Sequence, residues 1–376
     1  MSTRKRVEIV LFQQSLSENF LPIIGGRMSP LIFAVVTMSS LFLTWIMVRR
    51  GGLGLDTPNH RSSHTQSTPR GGGAAFVVVA IVTFFIVALF QTVEFENMFS
   101  RRIWGFAVLT TILGFLGAVE DMRNIPASTR LTFEAIIACL VIPLGIGWKN
   151  VAVGPFVISE PTWFLHLYTI VWMVWLTNLY NFMDGINGIA TLTGVVIFGT
   201  FSVIFSQYNS HFESVALIIV FSILGFLPFN FPKAKIFMGD MGSLFLGYCV
   251  GFMALLIHNF NLNFSAFWAI IAITPFFFDS TITLIIRMFC GQNILTAHRW
   301  HAFQKLADLT KSHTIATLVY TAWQVAFSWV VLAAAKDDFS NSSAKPALAL
   351  FVGFAVFYCS VLWLAKKSNK STAPRC

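Results

Sequence analysis

Apolar segments long enough to cross a lipid bilayer recur along the whole chain, and they limit what it can fold into. A transmembrane helix needs about 20 predominantly apolar residues. Only 11% of the 376 residues are charged, against about 25% in soluble domains, so lipid must be the solvent. The pattern predicts an all-α polytopic membrane protein with about eleven transmembrane helices, at roughly 30–48, 73–90, 103–119, 131–147, 163–180, 186–205, 212–230, 243–260, 264–289, 314–335 and 347–365.

The distribution of positive charge predicts the orientation of the chain. Of the 25 Lys and Arg residues, 16 fall on one set of alternating loops and on the C-terminal tail. Cytoplasmic loops carry the excess of Lys and Arg, so this set is predicted to be cytoplasmic. We expect an N-terminal tail over 1–29, a single transmembrane catalytic domain over 30–365 and a basic cytoplasmic tail over 366–376. The net charge of +9 does not indicate nucleic acid, because the longest basic run has three residues.

Five polar clusters fall on the predicted cytoplasmic side, which is what a composite active site on that face requires. Glu120 and Asp121 close the third span, where adjacent acids repel unless a cation or donor offsets them. The alternative is a hydrated interfacial pair. Between spans five and six lie amide and carboxylate groups that suit Mg²⁺ or sugar hydroxyls. Helix capping would explain one of these residues but not all four, which are Asn178, Asn181, Asp184 and Asn187.

Two glycine-containing segments suggest phosphate binding. Asp240 opens span eight between glycines, so it is either an N-cap or a Mg²⁺ ligand beside helix-start amides that favour phosphate. Arg70 precedes Gly71-Gly72-Gly73. Guanidinium and backbone amides there would cradle a phosphate, although Arg70 could equally be a positive-inside anchor.

The long loop around 288–313 carries His298, Arg299 and His301. Two histidines without a third His or a Cys make a poor zinc set, so hydrogen bonding to a diphosphate or sugar is the better interpretation. A solvated basic loop is the alternative. Asp279 lies inside span nine, near Pro275, which would kink the helix. It forms either a structural ion pair with Arg287 or part of the rim of the site.

Taken together, these segments resemble the polyprenyl-phosphate N-acetylhexosamine-1-phosphate transferases, glycosyltransferase family 4, which include MraY and the WecA-like enzymes. The most specific matches are Asn178-Leu-Tyr-Asn-Phe-Met-Asp-Gly-Ile-Asn-Gly188, Phe237-Met-Gly-Asp-Met-Gly-Ser243 and the His298/His301 pair. The segments Arg61-Ser-Ser-His64 and Thr68-Pro-Arg-Gly-Gly-Gly73 are more similar to the O-antigen-initiating branch. The chain departs from the family at position 120, where Glu replaces an aspartate.

The resemblance implies transfer of N-acetylhexosamine-1-phosphate from a UDP-sugar to undecaprenyl phosphate in the bacterial inner membrane. UMP would be released, and the product would be the first lipid-diphosphate-sugar of O-antigen lipopolysaccharide or a related polysaccharide. It implies Asp240 as a Mg²⁺ ligand, with Mn²⁺ as an alternative metal, and Glu120 and Asp121 beside the lipid phosphate. Asn181, Asp184 and Asn187 would contact the nucleotide sugar, and His298, Arg299 and His301 the diphosphate or sugar.

The competing hypothesis is a polytopic transporter or lipid flippase. Intramembrane charge and broken helices fit a transporter too, but its polar groups should lie near the bilayer midplane. Here they lie at one rim, and no internal repeat is evident. The sequence does not identify the sugar or distinguish a monomer from a homodimer.

Overall fold

A computed structural model describes residues 28–56, 67–91, 98–123, 125–153, 156–208, 211–293, 296 and 298–368. Most of the predicted N-terminal tail, the segment from Arg61 to His64 and the end of the basic tail lie outside these residues. Within the described residues the chain is almost entirely helical, with two short antiparallel strand pairs.

In chain order, the described residues form thirteen α-helices and four short strands. The helices are α1 Pro30–Arg50, α2 Gly73–Gln91, α3 Met98–Met122, α4 Ala127–Cys139, α5 Thr162–Met183, α6 Ile189–Gln207, α7 Phe212–Asn230, α8 Gly239–Phe260, α9 Ala266–Ile271, α10 Thr274–Phe289, α11 Ala302–Thr310, α12 His313–Lys336 and α13 Asn341–Lys367. Strand β1 Gly54–Asp56 pairs with β2 Thr68–Arg70, and β3 Val151–Val153 pairs with β4 Phe156–Ile158.

Each of the eleven predicted spans overlaps a described helix, so the all-α polytopic fold is confirmed. Among the described residues, eight helices are long and apolar enough to cross a membrane by length and composition. The count of eleven is therefore not confirmed. Span nine is divided into α9 and α10. Pro275 lies in the first turn of α10, where its missing N–H is tolerated, whereas in the interior of one continuous helix it would remove a backbone hydrogen bond.

Helix α8 forms the centre of the bundle and is buried along its length. It packs against α3 and α5. Glycines let the neighbouring helices approach its first turn: a Cβ on Gly117 of α3 would lie 2.5 Å from the Cα of Met241. A Cβ on Gly73 of α2 would lie 2.6 Å from the Cα of Gly242. This close approach brings the end of α3 and the start of α8 together.

Candidate active site

The glycine-rich segment before α2 is bound to the segment that precedes α8. The Phe237 amide donates to the Pro69 carbonyl at 2.8 Å, and the Gly72 amide donates back to the Phe237 carbonyl at 2.8 Å. The Gly73 amide donates to the Met238 carbonyl at 2.7 Å. The prediction that these glycine amides cradle a phosphate is therefore wrong for Gly72 and Gly73, because backbone carbonyls already engage them.

Asp121 caps the first turn of α8. Its Oδ1 accepts from the Asp240 amide at 3.0 Å and its Oδ2 from the Met241 amide at 3.1 Å, and the side chain is 2% exposed. Gly239, with φ of +76°, is required here, since its Cβ would lie 2.6 Å from Asp121 Oδ1. Arg70 donates to the Asp121 backbone carbonyl at 2.5 Å. The amides predicted to bind phosphate at this helix start thus bind a carboxylate of the protein itself.

Two further aspartates lie beside this cap. Asn181, on α5, donates to Asp240 Oδ1 at 2.5 Å and to Ser243 Oγ at 2.9 Å. Burial, followed by the negative charges of Asp240 and Asp121, raises the pKa of Asp184 well above its usual value. Within the described part of the chain, no group donates a hydrogen bond to the Asp184 carboxylate. Carboxylates this close, without a matching cation, favour binding of one.

The donor set fits Mg²⁺ held jointly with a substrate. No cluster of three or more metal-binding side chains occurs among the described residues, so the protein does not build a complete metal cage there. Mg²⁺ is typically bound by one or two carboxylates together with substrate phosphates and waters. Asp240 and Asp184 can supply that number of carboxylates. The predicted role of Asp240 as a ligand stays a prediction, as does the predicted contact of Asp184 with the nucleotide sugar.

A charged network on α4 was missed by the sequence analysis. Arg130 lies 3.7 Å from Glu120 Oε1 and 3.5 Å from Glu134 Oε1, and it donates to Asn178 Oδ1 at 3.2 Å. Asn178 in turn donates to Glu134 Oε2, and Glu134 is 3% exposed. The signal was present, because a glutamate inside a predicted span is functional by default and Arg130 stands one helical turn before it.

A cavity of about 780 Å³ opens beside this network. One wall of the cavity is apolar and reaches Val171 of α5, which is 55% exposed on the outer surface of the bundle. Its other end is polar. Five of the eleven predicted site residues line it, and these are Glu120, Asn178, Asn181, His298 and His301.

Helix α11, inside the long loop, is attached to the bundle by Asp279. The Asp279 carboxylate accepts from the backbone amides of Ala302 and Phe303, both at 3.1 Å. Arg287 instead donates to the carbonyls of Asn293 and Thr296. Of the two hypotheses for Asp279, the ion pair with Arg287 is therefore wrong, and the carboxylate lies behind the histidine segment that lines the cavity.

The two histidines differ in environment. The His298 and His301 rings lie 4.8 Å apart. Burial, followed by the charges of His301 and Arg287, lowers the pKa of His298 to about 3, so its ring is neutral near pH 7. His298 can therefore donate or accept one hydrogen bond to a substrate but contributes no positive charge.

Two predicted residues bind elsewhere in the protein. Arg299 forms an ion pair with Asp308 of α11 at 2.6 Å, and Asn187 donates to the Pro232 carbonyl at 3.3 Å. Neither lines the cavity. Their predicted contacts with the substrate stay predictions.

Comparison with known proteins supports the resemblance stated above. Residues 103–258 match the sequence profile described as Glycosyl transferase family 4. This segment runs from α3 through α8 and contains the carboxylates at the first turn of α8 and those of the α4 network, which are Glu120, Asp121, Glu134, Asp184 and Asp240. A probable undecaprenyl-phosphate N-acetylglucosaminyl 1-phosphate transferase of Bacillus subtilis (strain 168) is 29% identical over 78% of this chain and 82% of its own length.

Two other relatives agree. The phospho-N-acetylmuramoyl-pentapeptide-transferase of Latilactobacillus sakei is 28% identical over 62% of this chain and 75% of the relative. The decaprenyl-phosphate N-acetylglucosaminephosphotransferase of Mycolicibacterium smegmatis is 24% identical over 71% of each. Together these matches support the resemblance to glycosyl transferase family 4. Because its relatives are phosphosugar transferases, the chain is an enzyme, and its apolar helices make it a multi-pass membrane protein.

Proposed function

We propose that this enzyme transfers N-acetylhexosamine-1-phosphate from a UDP-sugar to undecaprenyl phosphate. An oxygen of the lipid phosphate attacks the β-phosphorus of the UDP-sugar, and the bond from that phosphorus to the bridging oxygen breaks. UMP leaves with the bridging oxygen, and the sugar stays on the new lipid diphosphate. No oxidant or reductant is needed.

The observation that carries this proposal is that the same cavity has a polar end and an apolar wall. Its polar end meets the acidic groups at the first turn of α8, and its apolar wall continues to the outer surface of α5. A reaction between a lipid phosphate and a water-soluble nucleotide needs such a site, because one substrate stays in the bilayer and the other stays outside it. The phosphate of the lipid would lie near Arg130, with its chain along the apolar wall.

The acidic groups divide into two roles. Asp240 and Asp184 would hold Mg²⁺, which, when bound, neutralises diphosphate charge during phosphoryl transfer. Asp121 is a positioning residue, since both its oxygens accept from the amides that open α8 and thereby fix Asp240. A lipid phosphate is already largely dianionic near pH 7, because its second pKa is about 6, so a general base at Asp121 is not required.

The remaining cavity residues would bind the substrates. Asn178 and Arg130 hold one another at the wall, and Asn181 joins that wall to Asp240. His298 and His301 lie across the cavity, where their ring nitrogens would bind diphosphate or sugar oxygens. We place the site on the cytoplasmic side of a bacterial inner membrane, on the basis of the positive-inside rule. The product would start O-antigen or a related polysaccharide.

The test is UMP release by the purified full-length protein with undecaprenyl phosphate and a panel of UDP-sugars. We expect release with one or more UDP-N-acetylhexosamines, in the presence of Mg²⁺ or Mn²⁺ and not of EDTA. Asp240→Asn should abolish it. Asp337→Asn, the same chemical change at the opposite end of the bundle, should leave it intact.

Two results would contradict the proposal. Folded wild-type protein that releases no UMP from any UDP-sugar would reject the reaction. Unchanged release by Asp240→Asn would reject the site. Movement of a substrate across vesicles without UMP release would favour the transporter instead.

A further inference from the structure

The Asp279 carboxylate is fully buried on α10 and faces the segment that carries the histidines. Its surroundings consist of hydrogen-bond donors. The contacts within hydrogen-bond distance are His301 Nδ1 at 3.1 Å, the Ala302 amide at 3.1 Å and Thr283 Oγ1 at 3.2 Å on Oδ1, with the Phe303 amide at 3.1 Å and Tyr320 OH at 2.6 Å on Oδ2.

These contacts determine which nitrogen of His301 carries the ring proton. An ionised carboxylate only accepts hydrogen bonds. The backbone amides of Ala302 and Phe303 can only donate, so the Asp279 oxygens act as acceptors here. His301 Nδ1, at 3.1 Å from Oδ1, must then carry a hydrogen. The hydrogen bond made by one ring nitrogen sets the state of the other.

The other nitrogen of His301 is left for the cavity. His301 is 2% exposed, and it lines the cavity beside α5. Its ring lies 4.8 Å from the His298 ring and stacks on Phe303 at 5.5 Å. No described residue forms a hydrogen bond with His301 Nε2. The His301 ring is therefore packed between the rings of His298 and Phe303. Its Nδ1 is bound to Asp279, and its Nε2 is available to bind a substrate.

We propose that Asp279 is a positioning residue that keeps the proton on His301 Nδ1 and presents Nε2 to the diphosphate-sugar in the cavity. This inference rests on the proposed function. Asp279 does not touch the substrate and acts only through His301. A neutral His301 would accept from a sugar hydroxyl or amide through Nε2, and a protonated His301 would donate to a phosphate oxygen from the same atom.

The competing explanation is that Asp279 only stabilises the start of α11. Its bonds to the Ala302 and Phe303 amides would do this by themselves, as the carboxylate of an N-terminal cap does. The two explanations differ in what happens to His301. A cap alone places no constraint on the ring proton, and its loss should affect activity whether or not residue 301 is a histidine.

The first experiment reads the ring proton directly in the wild-type protein. The eight histidines are labelled with ¹⁵N in the detergent-purified full chain, and the His301 signals are assigned by their loss in His301→Gln. We expect a protonated Nδ1 in every state and an Nε2 that changes when the UDP-sugar binds. An unprotonated Nδ1 in the wild type would overturn the proposal, and this result does not depend on any substitution at position 279.

The second experiment is a double-mutant cycle on UMP release with Asp279→Asn and His301→Ala. The side-chain amide of the Asp279→Asn variant has only one oxygen that accepts hydrogen bonds, so the donors that face the other oxygen in the wild type lose their acceptor. We expect Asp279→Asn to lower kcat by about 10- to 100-fold, as for residues that orient a liganding histidine. In the His301→Ala background the same change should cost less than about twofold.

Tyr320→Phe is the matched control, since it removes a donor from the same carboxylate without touching His301. It should lower the thermal unfolding midpoint while leaving Nδ1 protonated. Equal loss of kcat from Asp279→Asn in both backgrounds would show a purely structural role and reject the inference. So would a His301→Ala variant with wild-type kcat. Failure of the proposed function is distinct, because wild-type protein would then release no UMP at all.

Discussion

Asp121 and Asp240 adjoin each other at the first turn of α8, yet the same substitution should destabilise the protein at position 121 and have little effect on stability at position 240. Asp121 accepts two backbone amides, at 3.0 and 3.1 Å, whereas Asp240 accepts one side-chain amide, from Asn181. In Asp121→Asn the NH₂ group would face one of the two amide donors. In Asp240→Asn the amide oxygen can still accept from Asn181.

The expected cost of Asp121→Asn follows from those contacts. Losing one hydrogen bond to a charged group and leaving a buried amide unpaired costs about 1.5–3 kcal/mol. Losing the carboxylate at the start of α8 costs about 0.3–1 kcal/mol more, and relief of repulsion with Asp240 offsets part of this. The net loss should be about 2 kcal/mol in the free energy of unfolding. Asp240→Asn should cost little, because it removes repulsion from Asp184.

The assay is thermal unfolding of the detergent-purified variants, followed by the fluorescence of the 11 tryptophans. UMP release should be lost in both variants. The midpoint should fall by several degrees in Asp121→Asn and stay at or above the wild-type value in Asp240→Asn, with Asp337→Asn as the control for the chemical change. Equal midpoints for Asp121→Asn and wild type, or a lower midpoint for Asp240→Asn, would refute the division into a capping and a substrate-facing carboxylate.

Three other predictions concern the same site. Saturating Mg²⁺ with UDP-sugar should stabilise the wild type by about 2.7 kcal/mol at 100 times Kd, and a similar rise of the midpoint in Asp240→Asn would argue against Asp240 as a ligand. Glu134→Leu should lower the free energy of unfolding by about 3 kcal/mol, because it leaves Arg130 without its buried partner. Glu134→Gln should lower it less, and urea or thermal unfolding of the two variants measures the difference. The pKa of His298 is lowered from 6.5 to about 3 in the folded state, so its contribution to the free energy of unfolding is present above pH 6.5 and is lost as the pH falls from 6.5 towards 3. The unfolding midpoint of the wild type should therefore drop more between pH 7.5 and pH 5 than that of His298→Gln.

Much of the fold could be predicted, because a helix that crosses the bilayer needs about 20 predominantly apolar residues and such segments are visible in the sequence. Every predicted span overlaps a helix. Helix α5 ends at Met183 and helix α8 begins at Gly239, both within a few residues of the predicted positions. The exceptions have local causes. Span nine is divided at the helix start that contains Pro275, and α4 ends at Cys139, before a short 3-10 turn.

The site was predicted less completely, because a side chain's role depends on which groups it meets. Asp121 was expected beside the lipid phosphate, but its oxygens cap α8. Arg70 was expected to bind phosphate, and its guanidinium donates to a carbonyl at the end of α3. Glu134 was passed over, since a single acid inside a span gives no indication of its partners until Arg130 and Asn178 are seen beside it.

The sequence by itself determined that the chain is a helical membrane protein, and it predicted that acids, amides and imidazoles gather in the loops of one face. Hydropathy and charge act locally along the chain, so their consequences can be read in order. Only the tertiary structure decided that Asp121 serves α8, that Asp279 holds His301 and that Arg130 joins Glu134. Those pairings span 119, 22 and 4 residues, and the distant ones exist because helix packing, through contacts such as Gly117 against Met241, brings distant polar groups within hydrogen-bond reach.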